Sequence, residues 1–133
     1  MASKHIILNP GTMATDGDAL RLAKASQVYG GMTILAANFT NKAATNAGTS
    51  FHLVLQNYGT SGTVAGGTIG QAGGTTDPFV ANAPKAFTLT AANVYLAPGE
   101  WLVLKKVEQN DSDIDAVACI DIEYVDGISL VGR

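Results

Sequence analysis

The 133-residue sequence has little cysteine, little charge and no long apolar run. The single cysteine, Cys119, excludes a disulfide within one chain, which fits a reducing compartment or indifference to redox state. Only 14% of residues are charged and the net charge is −3, so the composition offers no basic footprint for nucleic acid or an anionic membrane. No apolar run approaches the roughly 20 residues that span a bilayer, and the N-terminus lacks the apolar core of a secretory signal. We therefore expect a small soluble protein.

Groups suited to catalysis or metal binding are also sparse. His5 and His52 lie far apart, each within an apolar run, and a zinc site needs at least three suitable ligands. The alternating aspartates of residues 111–115 resemble the start of a calcium loop, but Ala116 stands where that loop requires glycine. We expect a solvated acidic turn there. The sequence predicts no enzyme activity, no catalytic residues, no metal and no cofactor.

Short apolar runs between turn residues indicate an all-β chain. Residues 101–107 and 116–125 are both rich in β-branched and aromatic residues, and we interpret them as a β-hairpin. From Ala118 to Tyr124 alternate residues are apolar, whereas Asp121 and Glu123 lie between them, so one face of that strand belongs to the core.

The run from Trp101 to Val107 is apolar on both faces. Leu102 and Leu104 point one way, and Trp101 and Val103 point the other. This pattern suits a strand at the centre of a sandwich or at a subunit contact. A core strand with one partly exposed tryptophan explains it equally well, because scattered exposed apolar residues are common.

Five further runs are interpreted as strands. The first, Lys4–Leu8, is either an edge strand or an arm that pairs with a neighbour, and Ala19–Gln27 could be helical but favours a strand. The remaining three are 32–39, 50–58 and 87–96.

Residues 59–86 break the strand pattern, because glycine, threonine and alanine dominate them. This segment exceeds the 12–15 residues of most structureless loops, so it is either a contact arm lying on a partner or a flexible connection. It lacks the lysine and the glycine spacing of nucleotide-binding loops. Residues 62–76 contain few large apolar side chains, and we expect them to contribute little to the core.

Two stretches carry a resemblance to a known family. Residues 35–63, LAANFTNKAATNAGTSFHLVLQNYGTSGT, and residues 96–104, LAPGEWLVL, are followed by an Asp-rich turn and a final strand ending at Val125. The arrangement resembles small jelly-roll virion proteins of tailed bacteriophages, over roughly residues 19 to 125. The resemblance implies a structural role, either in head decoration (capsid cement) or in a fibre, and it supplies no catalytic residues.

We therefore expect a jelly-roll antiparallel β-sandwich over residues 19–133, with an extended Gly-rich loop at 59–86 and an N-terminal arm and turn at 1–18. The expected function is capsid decoration as a homotrimer on the virion exterior, made in the host cytoplasm. The major capsid protein is the expected partner, with no nucleic acid and no membrane. The candidate contact residues are His5, Ile7, Gly66, Gly67, Gly70, Phe79, Trp101 and Val103.

Two other functions remain open. A receptor- or carbohydrate-binding fibre-tip domain would need clustered exposed aromatics and amides, for which Trp101, Tyr95 and Tyr58 are candidates. A small trimeric β-enzyme, such as a nucleotide hydrolase, is disfavoured because no basic phosphate site and no matched acid/base pair is visible.

Overall fold

The computed structural model describes residues 3–13, 17–42, 52–62, 67–74, 77–107 and 118–128. These residues form ten strands and one short 3-10 helix, Ala91–Asn93, and they contain no α-helix. No helix in this part of the chain is long and apolar enough to cross a membrane. The strands are β1 (Lys4–Leu8), β2 (Ala19–Lys24), β3 (Met32–Thr40), β4 (His52–Asn57), β5 (Gly67–Gly73), β6 (Lys85–Ala86), β7 (Thr88–Leu89), β8 (Tyr95–Leu96), β9 (Trp101–Val107) and β10 (Cys119–Asp126).

The strands form two antiparallel sheets packed as a β-sandwich, which confirms the expected fold class. Sheet 1 has the order β1-β10-β3-β6, with β8 also paired to β3. Sheet 2 has the order β2-β9-β4-β5-β7. Early strands lie beside late ones in both sheets, since β10 separates β1 from β3 and β9 separates β2 from β4. This interleaving, with the chain crossing repeatedly between two sheets, is the topology of a jelly roll.

The predicted hairpin between residues 101–107 and 116–125 is wrong. Strand β9 pairs with β2 and β4 in sheet 2, whereas β10 pairs with β1 and β3 in sheet 1. The hairpin was predicted because the two runs are close in sequence. In the structure both strands bury an apolar face in the same core from opposite sides, which paired neighbours in a single sheet could not do. The acidic turn expected at residues 111–115 lies outside the described residues.

The core lies between the inner faces of the two sheets. Leu102 and Leu104 of β9 are completely buried, as are Ile120 and Ile122 of β10, so these two strands contact the same core from opposite sides. Alternation of side chains across each strand produces this arrangement. The core face predicted for β10 is confirmed. Other members of the cluster are Ile34, Phe39, Leu53, Leu55, Ile69, Phe79 and Leu96.

The Gly-rich segment is not one extended loop. Its residues Gly67–Gly73 form β5, which pairs with β4 along six residues of that strand. Ile69 is completely buried, and the Phe79 ring meets the Phe39 ring edge to face at 5.9 Å between centroids. A Cβ atom on Gly70 would lie 2.8 Å from Leu89 Cδ2 and 3.1 Å from the Thr88 carbonyl oxygen, so glycine allows β7 to pack closely here. The low strand propensity of glycine concealed this strand in the sequence.

The other expected strands had mixed outcomes. Lys4–Leu8 is an edge strand hydrogen-bonded to β10, so these residues are not a free arm. The run Ala19–Gln27 is a strand as far as Lys24, as expected. The run 87–96 is interrupted: β7 belongs to sheet 2, the 3-10 helix follows, and β8 belongs to sheet 1. The chain therefore changes sheets where one continuous strand was expected.

Substitution of Ile69 tests whether the Gly-rich segment belongs to the core. We expect Ile69→Ala to reduce the free energy of unfolding by about 2–5 kcal/mol, because it removes buried methyl groups and leaves a cavity. The midpoint of thermal unfolding, followed by circular dichroism, should fall by about 10 °C. The control is Val80→Ala in the same segment, where the side chain is 64% exposed and the expected change is small. Equal midpoints for the two variants would contradict the placement of Ile69.

Candidate docking surfaces

The outer face of sheet 1 carries an acidic cluster. Asp121 and Glu123 alternate with core residues on β10, and their cross-strand partners on β1 are Ile7 and His5. His5 Nδ1 lies 2.8 Å from Asp121 Oδ1, and His5 Nε2 lies 3.9 Å from Glu123 Oε2. Ser3 donates a hydrogen bond of 2.8 Å to Glu123. These residues, with the exposed Ile7 beside them, are called the acidic face.

The acidic cluster changes the titration of its histidine. The hydrogen bond that the His5 ring donates to Asp121 and the negative charges of Asp121 and Glu123 raise the pKa of His5 above 6.5, although partial desolvation opposes them. The protonated ring is therefore favoured in the folded state. Its contribution to stability is fully present below the unfolded pKa near 6.5 and is lost as the pH rises through the higher folded pKa.

The outer face of sheet 2 is basic and aromatic. Arg21 and Lys24 of β2 both lie against the Trp101 ring, with Arg21 Cζ 5.3 Å and Lys24 Nζ 5.7 Å from the ring centroid. Arg21 also donates a hydrogen bond of 3.0 Å to the carbonyl of Gly62. Lys105, two residues along β9 from the buried Val103, shares this face. Arg21, Lys24, Trp101 and Lys105 are called the basic face.

A β-bulge assembles the basic face. The register between β2 and β9 shifts between Arg21 and Ala23, and this shift places Lys24 opposite Trp101. In a regular strand, residues 21 and 24 would point to opposite faces, because their separation is odd. Sequence alternation therefore could not have found this cluster. The overall charge also concealed it, since a net charge of −3 does not indicate where the basic side chains lie.

A polar groove continues the outer face of sheet 2 beyond β4. It has a volume of about 340 Å³ and lies along β5 and β7, where Gln71 and Thr88 are cross-strand partners. Asp77 at its border is paired with Lys85. The other lining residues are Thr68, Gly73, Ala86 and Thr90.

A smaller pocket of about 200 Å³ is lined by the amides of Asn57 and Asn93 and by Tyr95. These groups are already engaged within the chain. Asn57 donates to Glu100 at 2.9 Å, Asn93 donates to the carbonyl of Thr68 at 2.9 Å, and Tyr95 donates to the carbonyl of Gly30 at 2.7 Å. The pocket is therefore better explained as local support than as a binding site.

One end of the sandwich presents large apolar side chains to solvent. Val28 is 84% exposed, Tyr29 65% and Ile128 53%. The two segments lie together because the Gly127 amide donates a hydrogen bond of 2.9 Å to the carbonyl of Gly31. Val28, Tyr29 and Ile128 are called the apolar tip. Exposed apolar residues gathered at one place on a surface are typical of interaction sites, and these three lie at the same end of the sandwich.

The structure separates the contact residues predicted from the sequence. His5 and Ile7 are exposed on the acidic face, whereas Trp101 lies on the opposite, basic face. Val103, Gly70 and Phe79 are buried within the chain, so their assignment as contact residues is corrected. Gly67 begins β5 beside Asn93. Gly66 lies outside the described residues, as do the aspartates of the calcium-like turn. The sequence did not predict the apolar tip, although Val28-Tyr29 before Gly30-Gly31 is an apolar pair in a turn.

Titration of His5 tests the geometry of the acidic face. We expect a pKa above 6.5 for His5 and a decrease toward that value in Asp121→Asn, because the strongest cause of the shift is removed. Glu123→Gln should produce a smaller decrease, since that carboxylate lies farther from the ring. Two-dimensional NMR of the imidazole protons gives all three values. A His5 pKa that is unchanged in Asp121→Asn would contradict the contact.

Comparisons with protein-family models, curated proteins and solved structures gave no match to this chain.

Proposed function

We propose that this chain is a bacteriophage capsid decoration (cement) protein, a non-enzymatic virion component that binds the outer shell and stabilises it. The observation that carries the proposal is the apolar tip at one end of a jelly-roll sandwich. The sequence resemblance to small virion proteins supports the same role. The proposed partner is the major capsid protein, and the proposed location is the capsid exterior after synthesis in the host cytoplasm.

The apolar tip is the proposed contact with the shell. Val28, Tyr29 and Ile128 leave apolar surface in water, and its removal on binding is favourable at about 25 cal/mol per Å². A single contact of this size is weak, but repetition over a symmetric shell multiplies it. Protein that binds only the assembled shell also stabilises the shell by mass action.

This contact surface replaces the one expected from the sequence. Lys4–Leu8 and the Gly-rich segment were the candidate contact arms, yet Lys4–Leu8 and Gly67–Gly73 are strands within the two sheets. Their backbones already form hydrogen bonds to β10 and β4. The apolar tip belongs to no strand in the described part of the fold, and its contacts there are the hydrogen bond from the Tyr29 amide to Ser26 and the Lys4 ammonium 5.4 Å from the Tyr29 ring centroid.

Comparison of two exposed valines tests the shell contact. We expect Val28→Asp to weaken co-sedimentation with expanded capsids that lack this protein by at least tenfold, because a charge would be placed in an apolar contact. Val80→Asp is the matched control, because this valine is also exposed but lies at the other end of the sandwich. Its neighbour Asn82 donates a backbone hydrogen bond to Asn41, which follows β3, whereas Val28 precedes β3. Wild-type attachment should persist at high salt, since exposed charge pairs are screened there and apolar contacts are not.

Three outcomes would overturn the cement function. The first is no co-sedimentation at any salt concentration, and the second is equal loss in both valine variants. The third is failure of bound protein to raise the temperature at which capsids release DNA. Specific retention on host-envelope material without capsid binding would favour the fibre-tip function.

The proposal includes a homotrimer. We place its subunit contact at Ile7 on β1, and not at Trp101 and Val103, which the sequence had indicated. Val103 is buried and Trp101 is in contact with two cations of its own chain. Ile7 is 64% exposed on β1, which is the outermost strand of sheet 1. Exposed apolar residues at a sheet edge favour association between chains.

Light scattering coupled to gel filtration measures the oligomeric state. We expect a trimer for the wild type and monomer for Ile7→Asp, because the new charge opposes burial of the β1 edge. Val80→Asp should remain trimeric and serves as the control for an added surface charge. A monodisperse wild-type monomer at micromolar concentration would contradict the trimer without affecting the test of shell binding.

A further inference from the structure

We propose that the outer face of sheet 2 binds an acidic polysaccharide, with its carboxylates on the basic face and its hydroxyls in the polar groove. This site is separate from the apolar tip and does not require shell attachment.

The cations of the basic face have no acidic partner in the described part of the chain. The ion pairs formed there involve Lys4, His5 and Lys85, whereas Arg21, Lys24 and Lys105 have no carboxylate within 4 Å. The chain has 11 acidic and 8 basic residues, so there are enough carboxylates to pair with every lysine and arginine. Three unpaired cations on one sheet face therefore form a local positive potential that attracts anions.

Trp101 holds two of these cations in place. Contact with the ring restricts Arg21 and Lys24 before a ligand arrives, which reduces the entropy lost on binding. The Arg21 guanidinium has five N–H donors, and its hydrogen bond to Gly62 leaves donors available for a carboxylate. The basic face is therefore suited to a planar anion.

The rest of the same face offers uncharged hydrogen-bonding groups. Gln71 and Thr88 line the groove of about 340 Å³, together with the hydroxyl-bearing Thr68 and Thr90. Amides and hydroxyls match the donors and acceptors of sugar hydroxyls. Among the described residues that line the groove, the one carboxylate is that of Asp77, and it is neutralised by Lys85.

The spacing of these features favours a polymer over a single sugar. Three strand-to-strand steps separate β2 from β5 in sheet 2. At about 4.8 Å per step the basic face and the groove lie about 14 Å apart, which a single sugar ring does not cover. An acidic oligosaccharide reaches both.

Other anionic partners fit less well. Nucleic acid would be repelled by the net negative charge, and three cations release few counterions. A second copy of the chain could offer its acidic face, but His5 and Ser3 already engage those carboxylates. Contact between two different faces is heterologous and forms an open assembly unless the rotation between copies closes a ring.

Oligogalacturonate of defined length, without capsids present, is the probe for this site. Trp101 is the only tryptophan, so its fluorescence reports binding at the basic face directly, and calorimetry gives the affinity. We expect saturable binding with a change in Trp101 emission, and at least tenfold weaker binding of the fully methyl-esterified oligomer. Binding should weaken as sodium chloride increases, unlike the expected attachment to capsids.

Paired variants assign the binding to this face. Lys24→Gln should weaken the affinity about fivefold, the scale of one exposed charge pair, whereas Lys42→Gln, which removes the same charge elsewhere, should have no effect. Gln71→Ala should weaken binding of the oligosaccharide but not of poly-glutamate.

Four results would overturn the proposal. Equal effects of Lys24→Gln and Lys42→Gln would show general charge attraction. Poly-glutamate binding as tightly as oligogalacturonate would identify an acidic protein surface as the ligand. Low-salt self-association abolished by Lys24→Gln would identify a second copy of the chain. Absence of any Trp101 response would exclude the site.

Discussion

The structure depends on the burial of β9 on both of its faces. Leu102 and Leu104 fill the core, and Val103 on the opposite face is also buried, flanked by its cross-strand partners Arg21 and Gln56. Strand β9 occupies an inner position between β2 and β4. Because β10 covers the same core from the other side, the two strands belong to different sheets. The earlier strands then alternate between the sheets, with β1 and β3 beside β10 and β2 and β4 beside β9.

The register shifts determine which surfaces the sandwich presents. The shift after Arg21 brings two cations onto the face of Trp101, and the shift between Leu55 and Gln56 makes room for the buried Ile69 in β5. Such bulges change the face to which a side chain points without breaking the sheet. The core packing and the basic face thus arise from the same local device, an extra residue in one strand of a pair.

The sequence predicted the fold class and the core face of β10 because apolar alternation was strong there. It did not predict the position of β5, since Gly70 and its neighbours have low strand propensity and their role appears only when Leu89 packs against them. It also assigned Phe79 to a contact surface, because pairing with Phe39 from a distant strand leaves no local pattern. The basic face depends on cross-strand register, which sequence alternation alone does not specify.

The positions of the surfaces make the two proposed functions compatible. The apolar tip lies at an end of the sandwich, at the turn before β3 and the residues after β10, whereas the charged faces lie along its sides. A subunit attached to a shell through its end would keep the outer face of sheet 2 in solvent. Apolar burial would hold the subunit, and unpaired cations would remain available for an anionic ligand. The two contacts would then differ in their response to salt, because screening weakens charge attraction and leaves apolar burial intact.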